Sequence, residues 1–183
     1  MKHLFTLLAA VLLTATTFAR VGINTTLNTL QINEGDATPA NWVSLSTASL
    51  PTYTINTFYA DLGGYVIEVN SDGTHGLVVA MQDQGTSRWY EANDLLSNPD
   101  NHDTDGAKFT DWRMPTKREL NLIYEVYTNG NGANLNDSYY WSSTEYDKRH
   151  STSYLAWVQN LDDGDQFDYM KVFKSNVRAV RAF

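Results

Sequence analysis

Residues 110–125 read TDWRMPTKRELNLIYE, and the punctuation of this stretch decides where the chain turns from loop to helix. Thr116 opens the pattern T-x-x-E with Glu119, in which the threonine oxygen takes an orphan amide and the glutamate reaches back to the cap amide. Pro115 keeps Met114 out of the helical region and makes the entry sharp. Leu120, Ile123, Tyr124 and Tyr127 recur at helical spacing and form one apolar stripe. Asn129-Gly130 tolerates the left-handed conformation that ends a helix. The spacing predicts a helix over 117–127 with Leu120 and Ile123 buried.

On the N-terminal side of this helix, GYVIEVN and GLVVAM are β-rich runs joined by SDGTH, where Asp72-Gly73 is a hairpin signal. A second helix is expected in SRWYEANDLL, with Trp89, Ala92 and Leu96 on one face and Pro99 beyond its end. The polar loop SNPDNHDTDGAKF follows. On the C-terminal side, YYWSSTEY, SYLAWVQNL, QFDYMKVF and VRAVRAF read as strands, broken by DKRHST and by the turn DDGD around Asp163-Gly164. A hairpin, two helices and then an antiparallel meander make an α+β domain over 61–183, its helices beside antiparallel sheets.

The first residues set the compartment. Lys2 and His3 precede the apolar run LFTLLAAVLL, and TTFA places small residues at Thr17 and Ala19. This is the pattern of a cleaved signal peptide over 1–19, and the run is short of the roughly 20 apolar residues of a membrane span. The expected destination is periplasmic, cell-surface or secreted, with no membrane span after cleavage. Residues 20–60 are rich in Thr, Asn and Ser and have no helical period. They read as an N-terminal arm or spacer, whose strand-like fragments offer a route to an oligomer by pairing with another chain.

There is no cysteine, which excludes a lipid-anchoring cysteine, a disulfide framework, thiolate metal sites and a cysteine nucleophile. A chain that is 42% apolar and 13% aromatic holds together by its core. The net charge is −8, and loss of Lys2 with the leader takes it to −9. Such a surface repels phosphate backbones and excludes general nucleic-acid binding.

Five blocks, GGYVIEVNSDGTHGLVVAMQDQ, DWRMPTKRELNLIY, YYWSSTEY, AWVQNLDDGDQ and VRAVRAF, occur in order between Gly63 and Phe183. Together they resemble the Lcl C-terminal domain family, the C-terminal domain of bacterial collagen-like adhesins. The resemblance implies a C-type-lectin-like fold in which the first and last strands pair, here 64–70 with 177–183. It also implies a domain that binds glycans or proteins; the collagen-like adhesins are associated with sulfated glycosaminoglycans. The net negative charge is a poor match to a polyanion, and the carboxylate-amide-proline signature of calcium-dependent sugar-binding lectins is not found.

Three classes of chemistry compete. NHDTDG, Asn101 to Gly106, matches the front of a calcium loop, but Trp112 stands where the bidentate acid belongs. Calcium held by Asp103 and Asp105 with backbone carbonyls stands beside a water-solvated Asx-turn loop. His75, His102 and His150 lack paired ligand spacing for zinc. Catalysis is not expected: G-x-S-x-G and H-E-x-x-H are missing, and the oxidase chemistry found on lectin-like folds needs cysteine. Binding is the third class. Tyr146, Lys148, Arg149, His150, Tyr154, Asp163, Asp165, Gln166 and Tyr169 combine rigid tyrosines with adaptable polar neighbours, as recognition surfaces do. Trp89, Trp112, Trp141 and Trp157 are assigned to the core, and Arg113, Arg178 and Arg181 to framework ion pairs and backbone contacts. The expectation is an exported, adhesin-like, non-catalytic domain without a cofactor that recognises a glycan or protein. The alternative is a structural or assembly subunit of a surface or secreted complex.

Overall fold

The structure is a computed structural model that describes residues 20–24, 29–33, 42–44, 50–146 and 154–183. Two units divide the chain, Met1–Ser49 and Leu50–Phe183. In the first, β1 (Arg20–Asn24), β2 (Thr29–Asn33) and β3 (Trp42–Ser44) form a three-stranded antiparallel sheet in that order. The signal-peptide reading falls on residues outside the described ones. Among the described residues no helix is long and apolar enough to cross a membrane.

The second unit is α+β and has two sheets. β4 (Phe58–Tyr59), β5 (Gly64–Val69), β6 (Gly76–Val79) and the last strand, β12 (Val180–Ala182), build a four-stranded sheet in the order β12-β6-β5-β4. The five-stranded sheet runs β10-β9-β8-β11-β7, from β7 (Gly85–Arg88), β8 (Tyr139–Glu145), β9 (Leu155–Asn160), β10 (Gln166–Met170) and β11 (Lys174–Val177). Its pairs are antiparallel except β8 with β11, which meet in parallel at Asn176 and Tyr140.

Both expected hairpins form. Gly73 takes φ 76° between β5 and β6, and Gly164 takes φ 81° between β9 and β10, a conformation glycine adopts without steric cost. The last strand corrects one expectation. It lies in the same sheet as β5 but pairs with β6, with Val180 opposite Val79 and Ala182 opposite Leu77. The reason is that β4 occupies the other edge of β5, with Phe58 opposite Tyr65, so only the β6 edge remains. Residues 50–60, read from sequence as arm, thus include a strand of the sheet.

α2 (Lys117–Thr128) has the expected capping box: Glu119 N donates to Thr116 Oγ1 at 3.2 Å, and Thr116 N donates to Glu119 Oε2 at 2.8 Å. The helix buries Leu120, Ile123 and Val126. They join Ile67, Leu77, Val79, Tyr140, Leu161 and Val180 in one cluster, while Val66, Val78, Trp112, Met114, Trp141, Val158 and Val177 form another. The upstream helix is shorter than expected. Ser87 and Arg88 belong to β7, a 3-10 turn covers Trp89–Glu91, and α1 is Ala92–Ser97. Pairing of Arg88 with Lys174 across the sheet outcompetes the local helical pattern.

The three arginines have the framework roles assigned to them. Arg113 makes two 2.7 Å bonds to Glu119; Arg181 donates to Asp111 at 2.8 Å and to Leu62 O at 3.0 Å. Arg178, fully buried, donates to the carbonyls of Ala80, Ala133 and Asn134 and lies 2.7 Å from Asp83. Asp83 in turn accepts from Asn136 at 2.6 Å and from Tyr140 at 3.0 Å. Burial, followed by the nearby Asp83 charge, pushes the Tyr140 phenol up to about 12.

Thr116→Ala is expected to cost about 1 kcal/mol in urea unfolding. Asp83→Asn is expected to cost about 3 kcal/mol or more, because it leaves the Arg178 cation buried without its counter-charge. A change below ~0.5 kcal/mol for Asp83→Asn would contradict the assignment of this pair as framework. Burial alone would raise the Glu119 carboxyl, but Arg113 and the Thr116 amide outweigh it and hold it below its usual range. Its contribution is therefore present above the usual pKa of about 4.3 and lost as pH falls below it. Glu119→Gln is expected to flatten that part of the acid limb of a stability-against-pH curve.

Candidate binding face

Side chains alternate across a strand, so the hairpin of β9 and β10 sends its residues to two different faces. On the face toward α2, Gln166 Nε2 donates to Lys117 O at 2.7 Å and to Gln159 Oε1 at 2.9 Å. Gln159 Nε2 donates to Gly164 O at 3.2 Å. These amides fasten the hairpin to the start of the helix. Lys117 Nζ lies 3.0 Å from the centre of the Trp157 ring, and Tyr146 meets that ring edge-on at 5.1 Å. Trp157 is half-buried, which corrects its assignment to the core. It sits on the outer part of this face, where a cation covers it.

The opposite face is aromatic. Trp141, fully buried, stands opposite Val158, and Val158 opposite Phe167. The Trp141 indole donates to Ser87 O at 3.0 Å, so the ring lies across the sheet toward β7. Ala156 is the partner of Tyr169, and its small side chain leaves space for Tyr169 to tilt onto Trp141 at 5.7 Å. From there the rings continue outward. Tyr139 meets Phe167 at 5.7 Å, Phe167 meets Tyr169 at 6.2 Å, and Tyr169 meets Phe173 at 5.4 Å. Tyr139 and Phe173 are each 48% exposed. Tyr139, Val158, Phe167 and Tyr169 line an open pocket of about 270 Å³.

The turn after β10 is inverted relative to ordinary turns, which are polar outside. Lys171 is buried, while Met170, Val172 and Phe173 are exposed. The lysine Nζ donates to Glu145 at 2.5 Å and lies 4.2 Å from the Trp89 ring centre and 5.4 Å from that of Tyr90. A desolvated ammonium is tolerable only with such company: one carboxylate and two π-faces. Trp89 is itself fixed by a 2.8 Å bond to Ser142 O.

Of the sequence-proposed residues, Tyr169 belongs to the aromatic face. Tyr146 and Gln166 lie on the α2 face, and Tyr154 is at the far end of β9, exposed. Asp163 and Asp165 are exposed in the β9–β10 turn, where the Asp163 carboxylate accepts from Asp165 N at 2.9 Å. Lys148, Arg149 and His150 lie outside the described residues. Sequence reading missed Tyr139, Phe167 and Phe173. The signal was there as the period-2 pairs Tyr139/Trp141 and Phe167/Tyr169, which put aromatics on one side of the two strands flanking β9.

The loop holding Asp103 and Asp105 serves as a fastening. Asp103 Oδ1 accepts from Gly106 N at 3.0 Å, and Trp112 Nε1 donates to Gly106 O at 2.9 Å. His102 stacks on Trp112 at 5.2 Å, with Nε2 2.8 Å from Leu96 O. Among the described residues no group of three or more His, Cys, Asp or Glu side chains is placed to hold a metal ion. The melting temperature is expected to be the same in millimolar calcium and in chelator. A rise with calcium, which mass action requires of any ion bound only by the folded state, would contradict the Asx-turn account.

No curated protein matches the chain. A model of the Lcl C-terminal domain family matches residues 37–181, which takes in β3 and all but the last two residues of the second unit. The chain belongs to the Lcl C-terminal domain family, a membership that points to a bacterial surface-associated domain.

Proposed function

We propose that the protein is an exported, non-catalytic binding domain that recognises a glycan or a protein through its aromatic face. The observation that carries this reading is the succession Tyr139, Phe167, Tyr169 and Phe173. Tyr139, Phe167 and Tyr169 line a pocket with buried Val158, Tyr169 tilts onto buried Trp141, and exposed Phe173 extends the row. A soluble domain gains nothing in folding from leaving such area wet, and exposed apolar patches mark interaction sites. Tyrosine and phenylalanine also bring large rigid contact area at low entropic cost. Support for a C-type-lectin-like fold comes from the two sheets with two flanking helices and from the chain end closing on the start of the domain. Phe183 exchanges 3.1 Å backbone bonds with Gly76 and packs on Tyr53 at 5.0 Å. The leader-like segment supports export.

A structural or assembly role is the second reading, favoured by the edge strands β4 and β10, which carry exposed Phe58 and Met170. Unpaired edges template pairing with other chains. A glycan array and a pull-down with residues 20–183 separate the two. Phe167→Ala and Tyr139→Ala are expected to cut capture at least about tenfold, a loss of ~1.4 kcal/mol. Melting should fall by only a few degrees, since about 1 kcal/mol corresponds to 2–4 °C in a domain of this size. Unchanged capture, or assembly in size-exclusion chromatography that survives both substitutions but fails on altering β10, would favour the structural reading.

A further inference from the structure

Resting on that reading, we infer that the aromatic face takes a neutral oligosaccharide of three or more pyranose units laid across the rings, and that it rejects sulfated chains. Three observations converge. The first is extent. The pocket of about 270 Å³ lies just below the roughly 300–1,000 Å³ of drug-sized sites, so it suits one sugar ring. Phe173 does not line it yet touches Tyr169 at 5.4 Å and is 48% exposed, so the apolar surface continues past the first ring's place. A single unit leaves it uncovered and a longer chain does not.

The second is chemical fit. One face of a pyranose presents C–H groups with slight positive polarisation, matched to the negative face of an aromatic ring. Its hydroxyl edge faces outward to water or to the phenols of Tyr139 and Tyr169. A protein partner fits less well, because a stable protein interface covers about 800 Å² on each side, and this face is four rings.

The third is charge. The hairpin that carries Phe167 and Tyr169 also carries Asp162, Asp163 and Asp165, all exposed in its turn. Asn160 stands opposite Tyr139 and donates its amide to Asp165 O at 2.9 Å, so the acidic turn begins at the end of the pocket strand. Among the described residues, the exposed cations near Phe173 are Lys174 and, opposite it, Arg88, which donates to Val172 O at 3.2 Å. Lys171 is engaged below the surface by Glu145 and the Trp89 and Tyr90 rings. Among the described residues, a sulfated chain laid over the rings would meet carboxylates at the turn end and, beside Phe173, only Lys174 and an Arg88 already paired with Glu91 at 3.2 Å.

The test is isothermal titration calorimetry of the full-length protein. The neutral probes are chito-, cello- and malto-oligosaccharides of one to six units, and the anionic probe is a heparin-derived hexasaccharide. Each is titrated at low salt and at about 0.5 M salt, where exposed charge pairs are screened within a few ångströms. One neutral series is expected to gain about tenfold in affinity between one and three units, then level off, with less than about twofold change between the two salt conditions. Phe167→Ala should abolish binding. Phe173→Ala, at an exposed position, should remove the gain from the third unit while leaving the weaker binding of a single unit. Heparin binding that weakens steeply with salt and is lost in Phe167→Ala overturns the inference but leaves a binding face. Failure of every neutral series at millimolar concentration also overturns it, and protein capture in the pull-down then decides the broader reading independently.

Discussion

The buried guanidinium of Arg178 sits where the chain passes from one sheet to the other. β11 ends at Val177 in the five-stranded sheet and β12 begins at Val180 in the four-stranded one. Arg178 has no exposure, and an unpaired cation there would be prohibitive. Three carbonyls, from Ala80, Ala133 and Asn134, accept from it at 2.8, 3.3 and 2.9 Å. Arg178 Nε and Asp83 Oδ1 are 2.7 Å apart yet neither has a partner in hydrogen-bond geometry. Their contact is a charge pairing off the N–H axis, and the attraction survives the misalignment because it depends on distance. Lysine, a point donor, cannot reach three carbonyls and a carboxylate at once. One side chain therefore joins the end of β6, the loop before β8 and, through Asp83, the Tyr140 hydroxyl.

That junction fixes β11, and β11 fixes the aromatic face. Ser175 Oγ donates to Tyr139 O at 2.7 Å, and Asn176 Nδ2 to Ser138 Oγ at 2.6 Å, which sets the start of β8 and the pocket's first ring. The sheet then has two unlike sides. Toward α2 the hairpin is bound by glutamine amides to the helix start, so its polar groups are already spent on the fold. On the other side Trp141, Ala156, Val158 and Val177 join a buried core cluster, Phe167 and Tyr169 pack against its margin, and Tyr139 and Phe173 are half exposed. The difference arises from period-2 alternation alone: Gln166 and Asp168 point one way, Phe167 and Tyr169 the other.

Much of the frame was legible because it is local. The capping box at Thr116 and Glu119, the glycines at 73 and 164 and the helix stop at Asn129-Gly130 are each set by neighbouring residues. What failed was non-local. Whether Val180 pairs beside β5 or β6 depends on β4, two residues long and too short to carry a periodic signal. Trp157 lies in a framework block, which predicts core, but its alternation phase puts it beneath Lys117 on the outer face. The sequence points to a contiguous segment, 146–169, as the site, whereas recognition by a sheet gathers every second residue of several strands. Of the proposed residues that the structure describes, Tyr169 lies on the aromatic face, joined by Tyr139, Phe167 and Phe173.

The central claim is that the outer rings on one side of the five-stranded sheet bind, whereas the α2 side only holds the fold. Carbon-edited aromatic NMR spectra of the labelled protein, titrated with the neutral oligosaccharides, test it directly. Resonances of Tyr139, Phe167, Tyr169 and Phe173 are expected to shift progressively while those of Trp157 and Tyr146 stay fixed. Shifts confined to Trp157 and Tyr146, with the four rings unmoved, would place recognition on the α2 side and contradict the account.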